Sequence, residues 1–214
     1  MGVLERKARE REALRRQIIE AAMQLFREHG YAAVSMRKIA QRVEYSVGSL
    51  YLHYKDKDEL FLAVQEEAFA RAFAYIQKIP SNAEPLTRLR QLGERYVRFG
   101  MENPDLYRLM FMMEHPMQAL PKNENWKSGI YLHQFLTQTV RDCMDAGVIV
   151  GKDPHRIGFA LWSFVHGMVS LRISHRLSIY TGDHIDCPFC NEDVDQLMLE
   201  THEHILQMIT LKSA

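Results

Sequence analysis

The stretch that decides the fold is residues 35 to 60, SMRKIAQRVEYSVGSLYLHYKDKDEL. Ser35 and Ser46 each precede a short run of helical apolar periodicity, and their hydroxyls can cap the first turn of a helix. Asp56 and Glu59 have the spacing of a capping box, which predicts a long helix that continues until Pro80 stops it. This stretch is therefore predicted to form two short helices joined by a tight turn and followed by a long helix, with the second short helix reaching about Tyr54.

The chain before Ser35 predicts a longer first helix that ends at Gly30, where a left-handed C-terminal position suits glycine. Three helices at this spacing match helix-turn-helix geometry, in which the third helix enters the major groove of DNA. The first helix should pack through one apolar face, which consists of Leu14, Ile18, Ala22, Leu25 and Phe26.

The rest of the chain is also predicted to be helical, because a period of 3.6 residues dominates and strand-like alternation never lasts beyond a few residues. Asn103-Pro104 and Asp153-Pro154 each place a capping side chain before a proline at the first helical position. The sequence therefore predicts an all-α protein of about nine helices. Its predicted parts are a helix-turn-helix head over 1–60 with a connecting helix over 57–79, and a larger helical bundle over 80–214.

Composition limits the classes of function. The chain has 27 basic and 27 acidic residues, but residues 1–60 hold 12 basic against 9 acidic ones, so the head is positive and the rest negative. No apolar run approaches the roughly 20 residues that span a bilayer, and three cysteines do not form a disulfide framework. We expect a cytoplasmic protein with no membrane partner. The chain also has no nucleophile motif, phosphate-binding glycine loop or His-Glu-x-x-His pair, so we expect neither an enzyme nor a cofactor.

The third helix and its surroundings contain the candidate DNA contacts. Leu50 should point inward, while serine hydroxyls, a tyrosine phenol, a lysine and the free N–H groups of the helix N-terminus can bind phosphates. Arg37 is the candidate for a guanine contact, because its planar fork matches the O6 and N7 acceptors. The alternative for Tyr51 and His53 is packing at the junction of head and body. The candidate DNA-binding residues are Arg37, Ser46, Val47, Gly48, Ser49, Tyr51, His53 and Lys57.

This part of the chain resembles the tetracycline-repressor (TetR) family of one-component bacterial regulators. The resemblance implies that Tyr51 and Lys57 contact phosphates and that Arg37, Val47, Ser49 and His53 read bases or line the groove. It also implies a homodimer on a palindromic double-stranded operator. The residues that carry it are Ile18-Ile19, Ala22, Leu25-Phe26, Gly30-Tyr31, Val34-Ser35, Ile39-Ala40, Gly48 through Tyr54, Lys57 and Leu60.

The turn before the third helix departs from that pattern, because Glu44 and Tyr45 stand where the family usually has Gly-Val. A left-handed backbone at Glu44 would cost about 1 kcal/mol relative to glycine and could change the tilt of the reading helix. Glu44 also places a negative charge near DNA.

The N-terminus has two interpretations. Residues 1–16 hold six basic side chains against three acidic ones. They can form an arm that reaches DNA. They can equally form a solvated helical extension with internal ion pairs, which the i,i+4 spacing of Glu12 and Arg16 supports.

Two segments of the body suit a ligand site. The run NPDLYRLMFMM from Asn103 combines aromatic residues with adaptable methionines. Trp162 and His166 lie four residues apart on one helix face, and WSFVHG resembles the Trp-x-x-x-His-Gly core of one TetR subfamily, which implies a small effector. Plain core is the alternative for these residues. The candidate effector-binding residues are Tyr107, Phe111, Met112, Trp162 and His166.

The last two helices, expected over 154–177 and 191–211, would supply the dimer interface, although their apolar faces would also suit an internal core. The small residues Gly158, Ala160, Gly167 and Ser170 would permit close packing by a partner, and the last helix offers Leu197, Ile205, Met208 and Ile209.

A second input is conceivable at Cys187 and Cys190, which have the spacing of half a zinc site, with His184, His202 and His204 nearby in sequence. A second Cys-x-x-Cys is absent, and His202 and His204 point in different directions on a helix. The sequence thus favours a repressor that a small apolar or aromatic effector releases from DNA. A redox- or metal-responsive regulator that senses through Cys187 and Cys190 is the alternative, and no metal ligands are assigned.

Overall fold

The computed structural model describes residues 2–80, 82–113, 127–177, 180 and 193–210. The chain forms nine α-helices and no β-strand within these ranges, which confirms the predicted all-α fold. None of these helices is long and apolar enough to cross a bilayer. The helices are α1 (Val3–His29), α2 (Met36–Arg42), α3 (Val47–Tyr51), α4 (Lys57–Ile76), α5 (Pro85–Glu102), α6 (Pro104–Phe111), α7 (Ser128–Asp145), α8 (Pro154–Ile173) and α9 (Val194–Ile209).

Helix ends in the N-terminal part follow the predicted capping chemistry. Gly30 terminates α1 with a φ of 75°, and Ser35 Oγ accepts a hydrogen bond from the backbone N–H of Lys38 at the start of α2. Asp56 Oδ1 accepts from the Glu59 N–H at 2.8 Å. The reciprocal bond differs from a capping box, because Glu59 Oε2 accepts from the N–H of Lys55 instead of Asp56.

The connecting helix is shorter than predicted, since α4 ends at Ile76 and not at residue 79. A proline disfavours helical geometry at the residue before it, so a helix must end ahead of Ile79. The Gln77 N–H still bonds to the Phe73 carbonyl, but the Ile79 N–H turns back to Gln77. The remaining predicted boundaries shift by a few residues in the same way: α3 ends at Tyr51 and α8 at Ile173.

The chain divides into two compact units. The first comprises the described residues within Met1–Ala70 and Asp105–Ser128, and the second those within Arg71–Pro104 and Gly129–Ala214. The division predicted from the sequence, into a helix-turn-helix head over 1–60 and a helical bundle over 80–214, concerns function and stays a prediction.

The first unit is built around an aromatic cluster that joins α1 to α4. Phe26, Tyr31 and Phe61 lie with ring centroids 5.1 to 5.8 Å apart, a separation at which aromatic pairs add to the free energy gained by burial. Ile18 and Leu50 are fully buried as predicted, so the first and third helices share one core. This packing fixes the orientation of the short helix α3.

The second unit depends on close packing of α5 against α8 and α9. The imidazole of His202 on α9 is buried against Gly93 on α5, and its Nε2 lies 3.1 Å from the Arg90 carbonyl oxygen. Arg90 also donates two hydrogen bonds to Glu203, at 2.6 and 3.1 Å. A bidentate pair of this kind fixes the register of the two helices as well as their separation.

Candidate functional site

The turn between α2 and α3 has the left-handed residue that the sequence predicted. Glu44 has a φ of 60°, a conformation that glycine adopts without the steric cost that a Cβ imposes. Directly after Glu44, the Tyr45 N–H donates a hydrogen bond to the Ala40 carbonyl at 3.0 Å. The helix-turn-helix connection therefore keeps the geometry of a glycine turn while it carries a glutamate.

We expect replacement of Glu44 by glycine to raise the free energy of unfolding by up to about 1 kcal/mol, because the strain at φ 60° exceeds the backbone entropy that glycine loses. Glu44→Gln is the matched control, since it removes the charge and keeps the Cβ. Thermal unfolding of the two variants separates the effect of the backbone strain from the effect of the negative charge. Equal melting temperatures for Glu44→Gly and the unmodified chain would show that the strain at Glu44 does not exceed the backbone entropy that glycine loses.

One side of helix α3 is buried in the core, and the opposite side is exposed to solvent. Leu50 is fully buried, whereas Tyr51 and Leu52 expose 52% and 77% of their surface. Ser46 caps the helix, because its Oγ accepts from the Ser49 N–H at 3.1 Å and lies 2.8 Å from the Ser49 hydroxyl. The predicted inward position of Leu50 is confirmed, and Ser46 and Tyr51 are exposed.

Gly48 and Arg37 also face away from the core. A Cβ built on Gly48 would meet only Ser46 Oγ, at 3.8 Å, so packing within the described part of the head does not require glycine there. The Arg37 side chain is exposed on α2, and Val47 is half-buried at the start of α3. Because Gly48 is exposed and has no side chain, the backbone of another molecule can approach it closely.

Lys57 is held by the head itself. Its Nζ donates to the carbonyls of Tyr31 and Val34 at 3.1 and 3.0 Å and lies 3.9 Å from the centroid of the Tyr31 ring. The Tyr31 hydroxyl in turn donates to Asp58, and burial raises the pKa of Tyr31. Substitution of Lys57 should therefore destabilise the head, in addition to removing the phosphate contact that the resemblance implies.

His53 lies just after α3 and is half-buried. Burial lowers its pKa, and the positive charges of Arg11 and Arg15 lower it further. The imidazole is thus predominantly neutral at pH 7 and can act towards a ligand as a hydrogen-bonding group.

The aromatic candidates on α6 lie in the first unit. Tyr107 is fully buried. The Phe111 ring lies 4.8 Å from Tyr107 and 5.3 Å, edge to face, from Phe69. Met112 follows the helix and is exposed. At Tyr107 these contacts are those of core packing, which is the alternative that the sequence left open.

Trp162 and His166 lie in the second unit and share a hydrogen-bonded chain with Tyr96. The Trp162 indole N–H donates to the Tyr96 hydroxyl at 3.2 Å, and this hydroxyl lies 3.3 Å from His166 Nδ1. His166 Nε2 lies 3.4 Å from Ser170 Oγ, and the imidazole stacks on the indole at 5.1 Å. If the Tyr96 hydroxyl donates a hydrogen bond to Nδ1, a neutral His166 carries its proton on Nε2 and donates a hydrogen bond to the Ser170 hydroxyl oxygen.

Tyr96 and Ser170 were not among the residues predicted for this site. Ser170 was noted only as a small residue for helix packing, and Tyr96 belongs to the buried face of α5, where nothing in the sequence distinguishes it from core. The link between α5 and α8 is a tertiary contact, so sequence spacing could not have found it.

A half-buried histidine, His166, and a buried one, His202, give the second unit a predicted pH dependence. Burial lowers the pKa of both His166 and His202, whereas unfolding restores it to about 6.5. The unfolded chain then binds more protons in acid, so their contribution to stability is complete above about pH 6.5 and declines as the pH falls towards the folded values. We expect the denaturant concentration at the unfolding midpoint to decrease as the pH is lowered from 7.5 to 5.5. His202→Gln should make this decrease smaller. A midpoint independent of pH over this range would contradict the assignment.

Metal and thiol chemistry find no support in the part of the chain that the structure describes. Within it, no group of three His, Cys, Asp or Glu side chains could hold a metal ion. Cys143 is buried, and burial raises its pKa to about 11, which leaves the thiol protonated and unreactive. Cys187, Cys190 and His184 lie outside the described residues.

Comparisons with known proteins agree with this arrangement. Residues 18–64 match the model for bacterial regulatory proteins of the tetR family, and residues 89–187 match a tetracyclin repressor-like C-terminal domain. The chain is 40% identical to the transcriptional repressor AcnR of Corynebacterium diphtheriae over 57 residues, 27% of this chain and 30% of that protein. It is 29% identical to the Streptomyces coelicolor repressor SCO4008 over 69% of this chain and 73% of that protein.

The solved structure of the TetR-family regulator PfmR from Thermus thermophilus superposes with a TM-score of 0.61 at 25% identity, over 89% of this chain and 97% of that chain. The chain spans about a third of the length of the first curated relatives that it matches. One family model matches residues 18–64 and a second matches residues 89–187, and the PfmR structure has the same helical fold, so the chain belongs to the TetR family of bacterial regulatory proteins.

Proposed function

We propose that this chain is a dimeric transcriptional repressor that binds a palindromic operator through α2 and α3 and leaves it when a small apolar or aromatic effector binds. The observation that carries the proposal is the short helix α3, which buries Leu50 and leaves Tyr51, Gly48 and Ser46 outward. Family membership supports the DNA partner. Operator binding would place the protein in the cytoplasm with the chromosome.

Each DNA-binding residue has a distinct role in this proposal. Tyr51 and the free N–H groups of the α3 N-terminus bind phosphates, and Gly48 allows the backbone to approach them. Arg37, Val47 and His53 face the base edges, where apolar groups meet thymine methyls and donors meet guanine. Ser46 serves first as the N-cap of α3, and because only one of the Ser46 and Ser49 hydroxyls donates to the other, the second hydroxyl proton can bond a phosphate. Lys57 would use the one ammonium proton that its two carbonyl contacts leave.

The proposed dimer forms through α8 and α9. Gly167 lies eight residues after Phe159 and Leu171 four residues after Gly167, so the three share one face of α8, with Phe159 62% exposed and open space beside Gly167. Met208 on α9 is 73% exposed. Gly158, in contrast, packs on Leu136 of the same chain and is not available to a partner. Phe159→Glu should therefore lower the dimer fraction in analytical ultracentrifugation, whereas Phe159→Leu should not.

The effector part of the proposal rests on Trp162 and His166. Both are half-buried, and their polar atoms are joined through Tyr96, so a ligand with a hydrogen-bonding group could compete for these contacts. The roles of Tyr107, Phe111 and Met112 stay predictions. Release follows if the effector binds better to a conformation whose heads no longer fit adjacent major grooves.

Native mass spectrometry of the purified protein tests the effector. We expect a dimer that carries an additional organic mass, which His166→Ala removes and which His155→Ala, an exposed histidine on the same helix, leaves in place. The recovered compound should then dissociate the dimer from DNA. A dimer that carries about one zinc ion per subunit, lost in Cys187→Ser, would refute the effector site and transfer sensing to that cysteine pair.

A further inference from the structure

The first helix extends well beyond the core that it helps to form. Every side chain from Glu5 to Ala13 is exposed, Leu14 is the first half-buried residue, and Ile18 is the first fully buried one. The extension is nonetheless a formed helix. The N–H of Gly2 donates to Glu5 Oε2 at 3.0 Å, and Arg6 pairs with Glu10 at 3.6 Å. Its side chains are therefore presented to solvent at fixed positions.

The charges of this extension are sorted onto different faces. Lys7, Arg11 and Arg15 recur every four residues and form one row, which we call the basic row. Arg6 and Glu10 pair on another face. Like charges four residues apart destabilise a helix, so a helix that is merely solvated gains nothing from this arrangement. Neither Lys7 nor Arg11 forms an ion pair with a carboxylate in the described part of the chain.

The basic row lies beside the end of the reading helix. Arg15 Nε donates to the Tyr54 hydroxyl at 3.3 Å. Arg11 and Arg15 are close enough to His53 that their charges, after burial, lower its pKa, and the opposite effect of Glu12 is smaller. His53 and Tyr54 follow shortly after the last residue of α3, so Arg11 and Arg15 lie near the C-terminal end of the helix that carries Tyr51.

We infer that the basic row is a second DNA-binding surface, which holds the phosphate backbone that flanks the half-site read by α3. The inference rests on the operator binding proposed above and adds a contact outside the helix-turn-helix. Lys7 and Arg15 are eight residue steps apart, which at about 1.5 Å of rise each is a length of about 12 Å, enough to face about three phosphates of one strand. Its contacts are with phosphate oxygens, so they add affinity without adding sequence preference.

The test compares two double variants that remove the same charge. Lys7→Ala/Arg11→Ala removes the free members of the row, and Arg6→Ala/Arg9→Ala removes two arginines from other faces of the same helix. Each phosphate contact contributes about 0.9 to the slope of log affinity against log salt, so two contacts on each of two heads should make the slope shallower by about 3 to 4. The control variant should retain nearly the full slope.

The outcomes separate this inference from the proposed function. Circular dichroism and the dimer mass first establish that both variants fold. If the unmodified chain selects a DNA sequence and the two double variants have equal slopes and affinities for it, the basic row does not contact DNA, although α3 does. If the unmodified chain selects no sequence, operator binding fails and the inference fails with it.

Discussion

Gly93→Ala is expected to destabilise the second unit by about 2 to 4 kcal/mol, the largest stability effect that the structure predicts for a single methyl group. A Cβ at this position would lie 2.1 Å from Cε1 and 2.3 Å from Nε2 of His202. The ring is buried and bonded to the Arg90 carbonyl, so it cannot swing into solvent without losing both. Either α9 moves away from α5, or the buried imidazole loses its hydrogen bond.

In the His202→Ala background, we expect Gly93→Ala to stabilise the second unit instead of destabilising it. Without the imidazole, the added methyl meets no ring and fills part of the space that the ring leaves. Alanine is also favoured over glycine within a helix by about 1 kcal/mol. Chemical denaturation of the four chains gives the coupling energy directly. Equal losses from Gly93→Ala in both backgrounds would show that His202 does not determine the need for glycine at position 93.

Tyr51→Ala is expected to weaken specific DNA binding by about ten- to a hundredfold for each head, because a hydrogen bond to a charged phosphate contributes about 1.5 to 3 kcal/mol. Tyr51→Phe should weaken binding by nearly as much as Tyr51→Ala, because it removes the hydroxyl that donates this hydrogen bond. Half of the side chain is exposed, so neither change should alter the free energy of unfolding by more than about 0.5 kcal/mol. Fluorescence anisotropy with a selected DNA site measures both affinities.

Tyr131→Phe is the matched control, because Tyr131 on α7 is 48% exposed and loses the same hydroxyl in the other unit. It should bind DNA as the unmodified chain does. If Tyr51→Phe also binds with unchanged affinity, Tyr51 is not a phosphate contact.

The geometry of the head could be predicted because it follows from local chemistry. Ser35 and Ser46 cap their helices within three residues, and Gly30 and Glu44 adopt positive φ where a helix and a turn must reverse. Leu50 is buried because the helical period places it beneath α3. Such features depend on neighbours in sequence, so residue type and spacing are sufficient to find them.

Contacts between distant segments could not be predicted in this way. Lys57 reaches back to Tyr31 and Val34, and His202 needs Gly93 on a helix more than a hundred positions earlier. The chain of Trp162, Tyr96 and His166 likewise joins two helices. The sequence identified Lys57, Trp162 and His166 as candidates, but their partners depend on how helices pack, and this is not encoded in local spacing.

The structure also changes how a loss of DNA binding must be interpreted. Lys57 supports the loop between α1 and α2, so a Lys57 variant that fails to bind DNA could have a destabilised head. Tyr51 makes a better probe, because its exposed ring leaves the core untouched. A site assignment therefore rests on Tyr51, with unfolding measured for every Lys57 variant.

Selection of bound fragments from random double-stranded DNA, followed by sequencing, tests the central claim most directly. The purified full chain is predicted to enrich one short sequence in two inverted copies, with centres about 10 base pairs apart or a multiple of that spacing, and Tyr51→Ala is predicted to lose the enrichment. A pool that the unmodified chain leaves unenriched, at a salt concentration where the protein is folded and dimeric, would contradict the claim that α3 reads an operator.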